Sequence, residues 1–199
     1  VKPSGATMQT LTPDTDTMDD ALACFAQSAL GGGLASEAAR LLAEAGRVRE
    51  RPAEALGLLE RARAVAPAHP APLIALYRFH FYGHRLADAR AVGEDALSIA
   101  RSVLGADFGR EPPSRDAVRY DAAVRFYLFT LKGLAYLHMR LGELASAQTQ
   151  LAELRSLDPE DHVGGALLLH VLMRREDDVD GDGAGVPRAY PARGWAVPL

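Results

Sequence analysis

Residues 131–159, LKGLAYLHMRLGELASAQTQLAELRSLDP, constrain this chain more than any other stretch. Two apolar patterns of helical period meet at Leu141-Gly142-Glu143, and Asp158-Pro159 stops the second. This is the pattern of two helices joined by a tight turn. A hairpin of this size cannot bury its apolar face alone, so it needs neighbours of its own kind stacked against it. The pattern returns upstream in weaker form. Ala55, Ala89 and Ala147 hold equivalent places, the first two 34 residues apart and the last two 58, a second interval with 24 residues inserted. The first copy carries Leu42, Ala43, Ala55, Leu59 and Pro67; the second carries Leu73, Leu76, Gly83, Ala89, Ala96 and Leu97.

The strong copy resembles a bacterial tetratricopeptide repeat, a helix–turn–helix unit of 34 residues. Leu131 and Leu134 match the early large positions, Ala135 the small one, and Gly142 the turn. Ala147, Leu151 and Pro159 match the small, large and closing positions of the second helix. Departures are Leu154 and Tyr77, where small residues are usual, and His138, where tyrosine is common. The resemblance implies an all-α stack of helical hairpins, an α-solenoid of about seven helices with a capping C-terminal helix. It also implies a protein-binding scaffold, an adaptor or chaperone-like accessory protein without catalytic residues, cofactor or metal.

The remaining composition fits a helical domain without membrane spans. Hydrophobic residues make up 48% of the chain, yet no run approaches the roughly 18 apolar residues of a spanning segment. A net charge of −4 argues against a nucleic-acid partner. The single cysteine, Cys24, excludes an intrachain disulfide and reads as a small buried residue. The opening residues lack the apolar core of a signal peptide, so the expected compartment is the cytoplasm. Frequent arginine with lysine only at Lys2 and Lys132 suggests a GC-rich bacterial genome.

Three regions follow. Residues 1–17 read as disordered, 18–175 as the helical domain, and 176–199 as an acidic, then proline-containing flexible tail. Within the domain the spacing predicts helices at 18–30, ended by Gly31-Gly32-Gly33, at 36–48, and from Pro52 to about 66. His69-Pro70-Ala71-Pro72 reads as a rigid link before helices at 72–82 and 86–103. The insertion, around 102–125, contains a loop at 104–113. Ser114 then caps a helix expected to run unbroken to Leu141. A final helix is expected at 163–175, where Leu167, Leu168, Val171 and Leu172 form one face.

No residues stand out as catalytic. Asp178, Asp180, Asp182 and Gly183 imitate the first half of a calcium loop, but the twelfth position is Ala189 and the bidentate glutamate is missing. His80 and His84 have a metal-compatible spacing, yet His80 occupies the same repeat slot as His138, which favours packing. The family's groove-facing positions, carried onto this chain, are Arg40 and Arg47 in the first unit. They are Ile74, Arg78, Phe81 and Tyr82 in the second, and Phe129, Lys132, Tyr136 and Arg140 in the third. This is a basic face interleaved with aromatics, suited to an acidic protein or peptide segment with bulky apolar anchors. Glu44 and Ala75 stand where the family's chaperone-tail clamp needs asparagines. The acidic stretch 176–182, backed by Trp195, has a composition that could fold back onto Arg78, Lys132 and Arg140. The alternative is a self-assembling homodimer through an exposed apolar stripe on 123–134. YRFHFYGHRLADAR and RFYLFTLKGLAYL also resemble bacterial repeat proteins encoded near nitrogen-fixation genes. That resemblance implies an accessory role in nitrogenase or metalloenzyme maturation.

Overall fold

A computed structural model describes residues 33–181. The predicted helix 18–30 with Cys24, the segment 1–17 and the tail from Asp182 onward, Trp195 included, lie outside these residues. The described chain is all-α. Eight helices follow one another: α1 Ser36–Arg47, α2 Pro52–Val65, α3 Pro70–Tyr82, α4 Leu86–Leu104, α5 Arg115–Tyr120, α6 Ala122–Leu141, α7 Leu144–Leu157 and α8 Ala166–Gly181. Among the described residues no helix is long and apolar enough to cross a membrane.

Short turns force consecutive helices to pack on each other: α1 on α2, α2 on α3, α3 on α4, α7 on α6 and α8 on α7. The inserted residues separate α4 from α6 in sequence, yet these two make the most extensive helix pair among the described residues. Helix α6 is central. Leu128, Leu131, Leu134, Ala135 and Leu137 are wholly buried along it. Such burial is the main favourable term in holding helices together.

Polar contacts fix the directions of the three helices around this seam. Near one end Glu143 accepts from Arg90 of α4 and faces Nδ1 of His138 in α6 at 2.5 Å. Near the other, Arg101 of α4 donates to the Tyr127 hydroxyl in α6 and to Glu153 of α7 at 2.6 Å, while Tyr127 donates to the same Glu153 oxygen at 2.5 Å. Helix α4 therefore runs antiparallel to α6 and parallel to α7. Arg63 of α2 pairs in the same way with Asp95 of α4. Asp95 and Glu153 are 58 residues apart, the interval that relates Ala89 to Ala147. Equivalent acids thus receive an arginine from the preceding equivalent helix.

Burial pushes the Tyr127 hydroxyl up to about 12, helped by its bond to Glu153. The phenol stays protonated and remains a donor. Arg90 and then His138 hold Glu143 below the usual carboxylate range.

The insertion lengthens both helices that flank it. Helix α4 runs 19 residues against 14 for α2, and α6 runs 20 against 13 for α3. Phe108 anchors the intervening loop, its ring edge on Tyr127 at 5.1 Å between centroids. Ser114 caps as expected, accepting from the Ala117 amide, but α5 stops at Tyr120. The expected single helix is broken by Asp121, whose Oδ1 accepts from Ala123 and Val124 at 2.9 and 3.0 Å. An aspartate whose side chain competes for backbone amides restarts a helix more readily than it continues one.

Two other boundaries differ from expectation. Pro70, Ala71 and Pro72 form the first turn of α3 instead of a link, because Nδ1 of His69 accepts from the Ala71 amide and proline lacks the amide that this turn leaves unpaired. Helix α8 starts at Ala166, where Asp161 accepts from the Gly165 and Ala166 amides, and continues to Gly181. Residues 176–181 of the expected tail are therefore helical; no proline or glycine intervenes between Ala166 and Asp180.

The turns repeat as the helices do. His80 and His138, 58 residues apart, are buried to 7% and 6% exposure, and each carbonyl accepts from the amide five residues on, at 2.9 Å in both cases. The left-handed position of the turn is Gly142, φ 80°, in one copy and His84, φ 58°, in the other. Gly83, expected in the turn, ends α3 with φ −79° and leaves the strained position to its neighbour. A side chain in this conformation costs about 1 kcal/mol relative to glycine. His84→Gly should therefore stabilise the protein by about 1 kcal/mol and Gly142→Ala should destabilise it by a similar amount, both read from denaturant midpoints at constant slope.

Candidate functional site

Helices α3 and α6 lie side by side and advance in the same direction: Ile74 shares a cleft with Phe129, Tyr77 lies over Gly133, and Phe81 meets Tyr136. Tyr77 decides this spacing. Its hydroxyl would stand 3.1 Å from a Cβ on Gly133, and a Cβ on Gly93 of α4 would meet Leu134 at 2.8 Å and the Tyr77 ring at 3.7 Å. A glycine inside a helix costs about 1 kcal/mol against alanine; here Gly133 admits the tyrosine where the sequence pattern wants a small residue, and Gly93 admits Leu134. Leu154, the other large departure, is accommodated likewise: a Cβ on Gly165 would stand 2.6 Å from its Cδ2.

A cleft of about 50 Å³ opens beside Tyr77. Leu73, Ile74, Phe126 and Phe129 give it apolar walls, with Arg78 and Thr130 at the margin. Next to it runs an aromatic ladder. Tyr77 stacks on Phe81 at 5.8 Å and 11°; Phe81 then meets Tyr82 edge-on at 5.5 Å and Tyr136 at 6.0 Å. Cations lie on this surface. The Arg125 guanidinium sits 5.3 Å from the Phe129 centroid, and Arg140 sits 5.7 Å from the Tyr136 centroid while donating to its hydroxyl at 2.7 Å. Such contacts hold a guanidinium flat against an aromatic face while leaving N–H groups for a carboxylate. Burial, with Tyr136 and Tyr82 adding to it, pushes the Tyr77 hydroxyl up to about 12, so it too remains a neutral donor.

The expected residues divide. Arg78, Phe81, Tyr136 and Arg140 come together on α3 and α6 with Ile74 and Phe129, and Tyr82 stands beside them, 68% exposed. Lys132 is drawn away: its Nζ donates to the Val163 carbonyl at 2.6 Å and lies 6.0 Å from the Phe129 centroid, tethering the loop before α8. Arg40 and Arg47 stand exposed on α1 and line no part of the cleft; Arg40 pairs with Glu44 at 3.3 Å. Sequence reasoning missed Tyr77, Gly93, Arg125, Phe126 and Gly133. The two interior glycines were the available signal.

The loop 158–165 gathers carboxylates and a histidine, but these serve the fold. Asp158 accepts from the Val163 amide at 2.9 Å and faces Nδ1 of His162 at 2.9 Å, while Asp161 caps α8. His80 is buried and His84 exposed, each in the place its turn dictates.

This geometry defines a class: an all-α chain of successive helical hairpins with a basic, aromatic-lined cleft between two parallel helices. Comparison with known proteins places it further. The chain is 33% identical over 127 residues to an "Uncharacterized 19.8 kDa protein in nifW 5'region" of Azotobacter chroococcum mcd 1, covering 61% of this chain and 71% of that protein. The chain belongs to the family of that nifW-region protein. No family model and no solved structure matches it.

Two outcomes follow from these environments. Burial holds His69 below its ordinary value of 6.5. His80 is held down by burial and then Arg85, with Asp88 and Glu60 opposing. The unfolded chain therefore binds more protons below pH 6.5, so stability is highest above that value and falls as pH drops through it, until the folded-state values are reached. His80→Gln should shallow this slope in denaturation measured between pH 5 and 7. Lys132→Met should cost about 1–2 kcal/mol of stability through loss of the Val163 tether, visible as a lower denaturation midpoint with faster amide exchange at 158–165.

Proposed function

We propose that this chain is a non-catalytic tetratricopeptide-like scaffold, an adaptor or chaperone-like accessory protein. It holds an acidic segment with bulky apolar anchors on the α3–α6 face. The observation that carries this reading is the apolar cleft with the Arg125 guanidinium laid on its Phe129 wall, continued by the aromatic ladder that ends at Tyr136 and Arg140. An anchor side chain entering the cleft gains buried apolar area, while Arg125 beside it and Arg140 at the far end of the aromatic ladder offer charge-assisted bonds to carboxylates. The repeat reading is supported by matched features 58 residues apart: the buried histidines, the left-handed turn positions and the arginine-paired acids Asp95 and Glu153.

A homodimer through the long helix draws less support. Within its expected stripe, 123–134, Val124, Phe126, Tyr127, Leu128, Leu131 and Leu134 are buried within the chain, while Ala123 and Phe129 are half-buried. The relative's description places it in a nifW 5' region, which supports an accessory role in nitrogenase or metalloenzyme maturation as the setting for the adaptor. Reversing charge with Arg125→Glu and Arg140→Glu should abolish capture of a client from a nitrogen-fixing bacterial lysate while leaving the helical circular dichroism signal intact. Mass spectrometry should find an acidic, aromatic-containing segment in the captured client. Equal capture by the reversed variant sinks the groove reading.

A further inference from the structure

The α3–α6 face has a spacing as well as a chemistry. Helix α6 carries Arg125, Phe129, Tyr136 and Arg140 along one side, at separations of four, seven and four residues. A cation stands at each end with an apolar feature next to it. From Phe129 to Tyr136 the helix rises roughly 10 Å, and from one arginine to the other roughly 22 Å. The two apolar features differ. Beside Phe129 lies the cleft; beside Tyr136 lies an open ledge of rings, with Tyr82 68% exposed and edge-on to Phe81.

The cleft selects by size. Its volume is about 50 Å³, against about 150 Å³ for a dry cavity that admits benzene. Leu73 and Phe126 close it from the core side and are buried, while Ile74 and Phe129 flank it half-buried. The tip of a leucine, isoleucine or methionine enters such a space. A phenyl ring enters only by displacing packed walls, and overfilling a packed site is unfavourable. A flat ring has its place on the ledge instead, against Tyr82 and Tyr136.

The spacing selects a conformation. Residues seven apart in a helix share one face and lie roughly 10 Å from each other, which is the separation of cleft and ledge. In an extended strand that distance is about three residues, and side chains three apart point to opposite sides. A helix laid along α6 therefore brings one aliphatic and one aromatic side chain to the two features together. Carboxylates about one turn beyond each anchor then reach Arg125 and Arg140.

We propose that the partner segment of this face is an acidic amphipathic helix. Its aliphatic anchor fills the cleft, its aromatic anchor seven residues away lies on the Tyr82–Tyr136 ledge, and its carboxylates stand outside both. This pattern rests on the binding-face reading and adds the class of each anchor and the conformation that carries them.

The test is titration of the full chain with acidic peptides held helical by a lactam bridge, read by calorimetry and by amide chemical shifts. A peptide with leucine and phenylalanine seven residues apart, in whichever order binds tighter, should bind and shift the Thr130 and Gly133 amides. Replacing its leucine by phenylalanine should weaken binding about tenfold, and Ile74→Ala should recover most of that loss by widening the cleft. Equal binding of the two-phenylalanine peptide to the native chain, equal or tighter binding of an extended peptide with the same anchors three residues apart, or no binding by any of them would each overturn the proposal. The binding face fails separately. Client capture that is still lost on charge reversal at Arg125 and Arg140 keeps the face without this anchor pattern, whereas unchanged capture removes both.

Discussion

The packing of Tyr77 on Gly133, beside the close approach of Leu134 to Gly93, sets the geometry around the cleft. Gly93 lets α4 approach Leu134 of α6, and Gly133 takes the hydroxyl end of a ring for which the sequence pattern has a small residue. The ring fills the space between three helices and leaves its hydroxyl a protonated donor. Because it is broad, α3 and α6 do not close over their outer edges, and the gap between Ile74 and Phe129 becomes a cleft. The irregularity of the repeat and the candidate binding face thus have a single cause.

Much of the fold was legible because the deciding signals are local. Gly142, Asp158-Pro159, Pro52 and Ser114 act within one turn of chain, and each marks a boundary that the structure keeps. The repeat interval placed His80 and His138 in equivalent slots, and both are buried. Asp121 was missed because an aspartate inside a helical pattern looks like a solvated face until its carboxylate is seen taking amides. His69 was missed because an imidazole is an unusual cap.

The candidate site was legible in a different measure. Phe81, Tyr136 and Arg140 converge because α3 and α6 run parallel and turn these side chains toward one another. Lys132 diverges because its destination is set by a loop more than thirty residues later, which no local pattern encodes. Arg125 entered the site through the insertion, which extends α6 beyond the length that the repeat supplies. The insertion therefore does more than lengthen helices; it adds a cation to the rim and a loop, pinned by Phe108, at the far end.

The arginine–carboxylate pairs Arg63–Asp95 and Arg101–Glu153 join α2 to α4 and α4 to α7, and their side chains remain one-third to more than one-half exposed. Ions screen such pairs, whereas the apolar seam along α6 is indifferent to them. The molecule therefore has one wall whose stiffness depends on ionic strength and another whose stiffness does not. Salt therefore acts on how firmly α2 and α7 hold α4, and leaves the apolar seam between α4 and α6 in place.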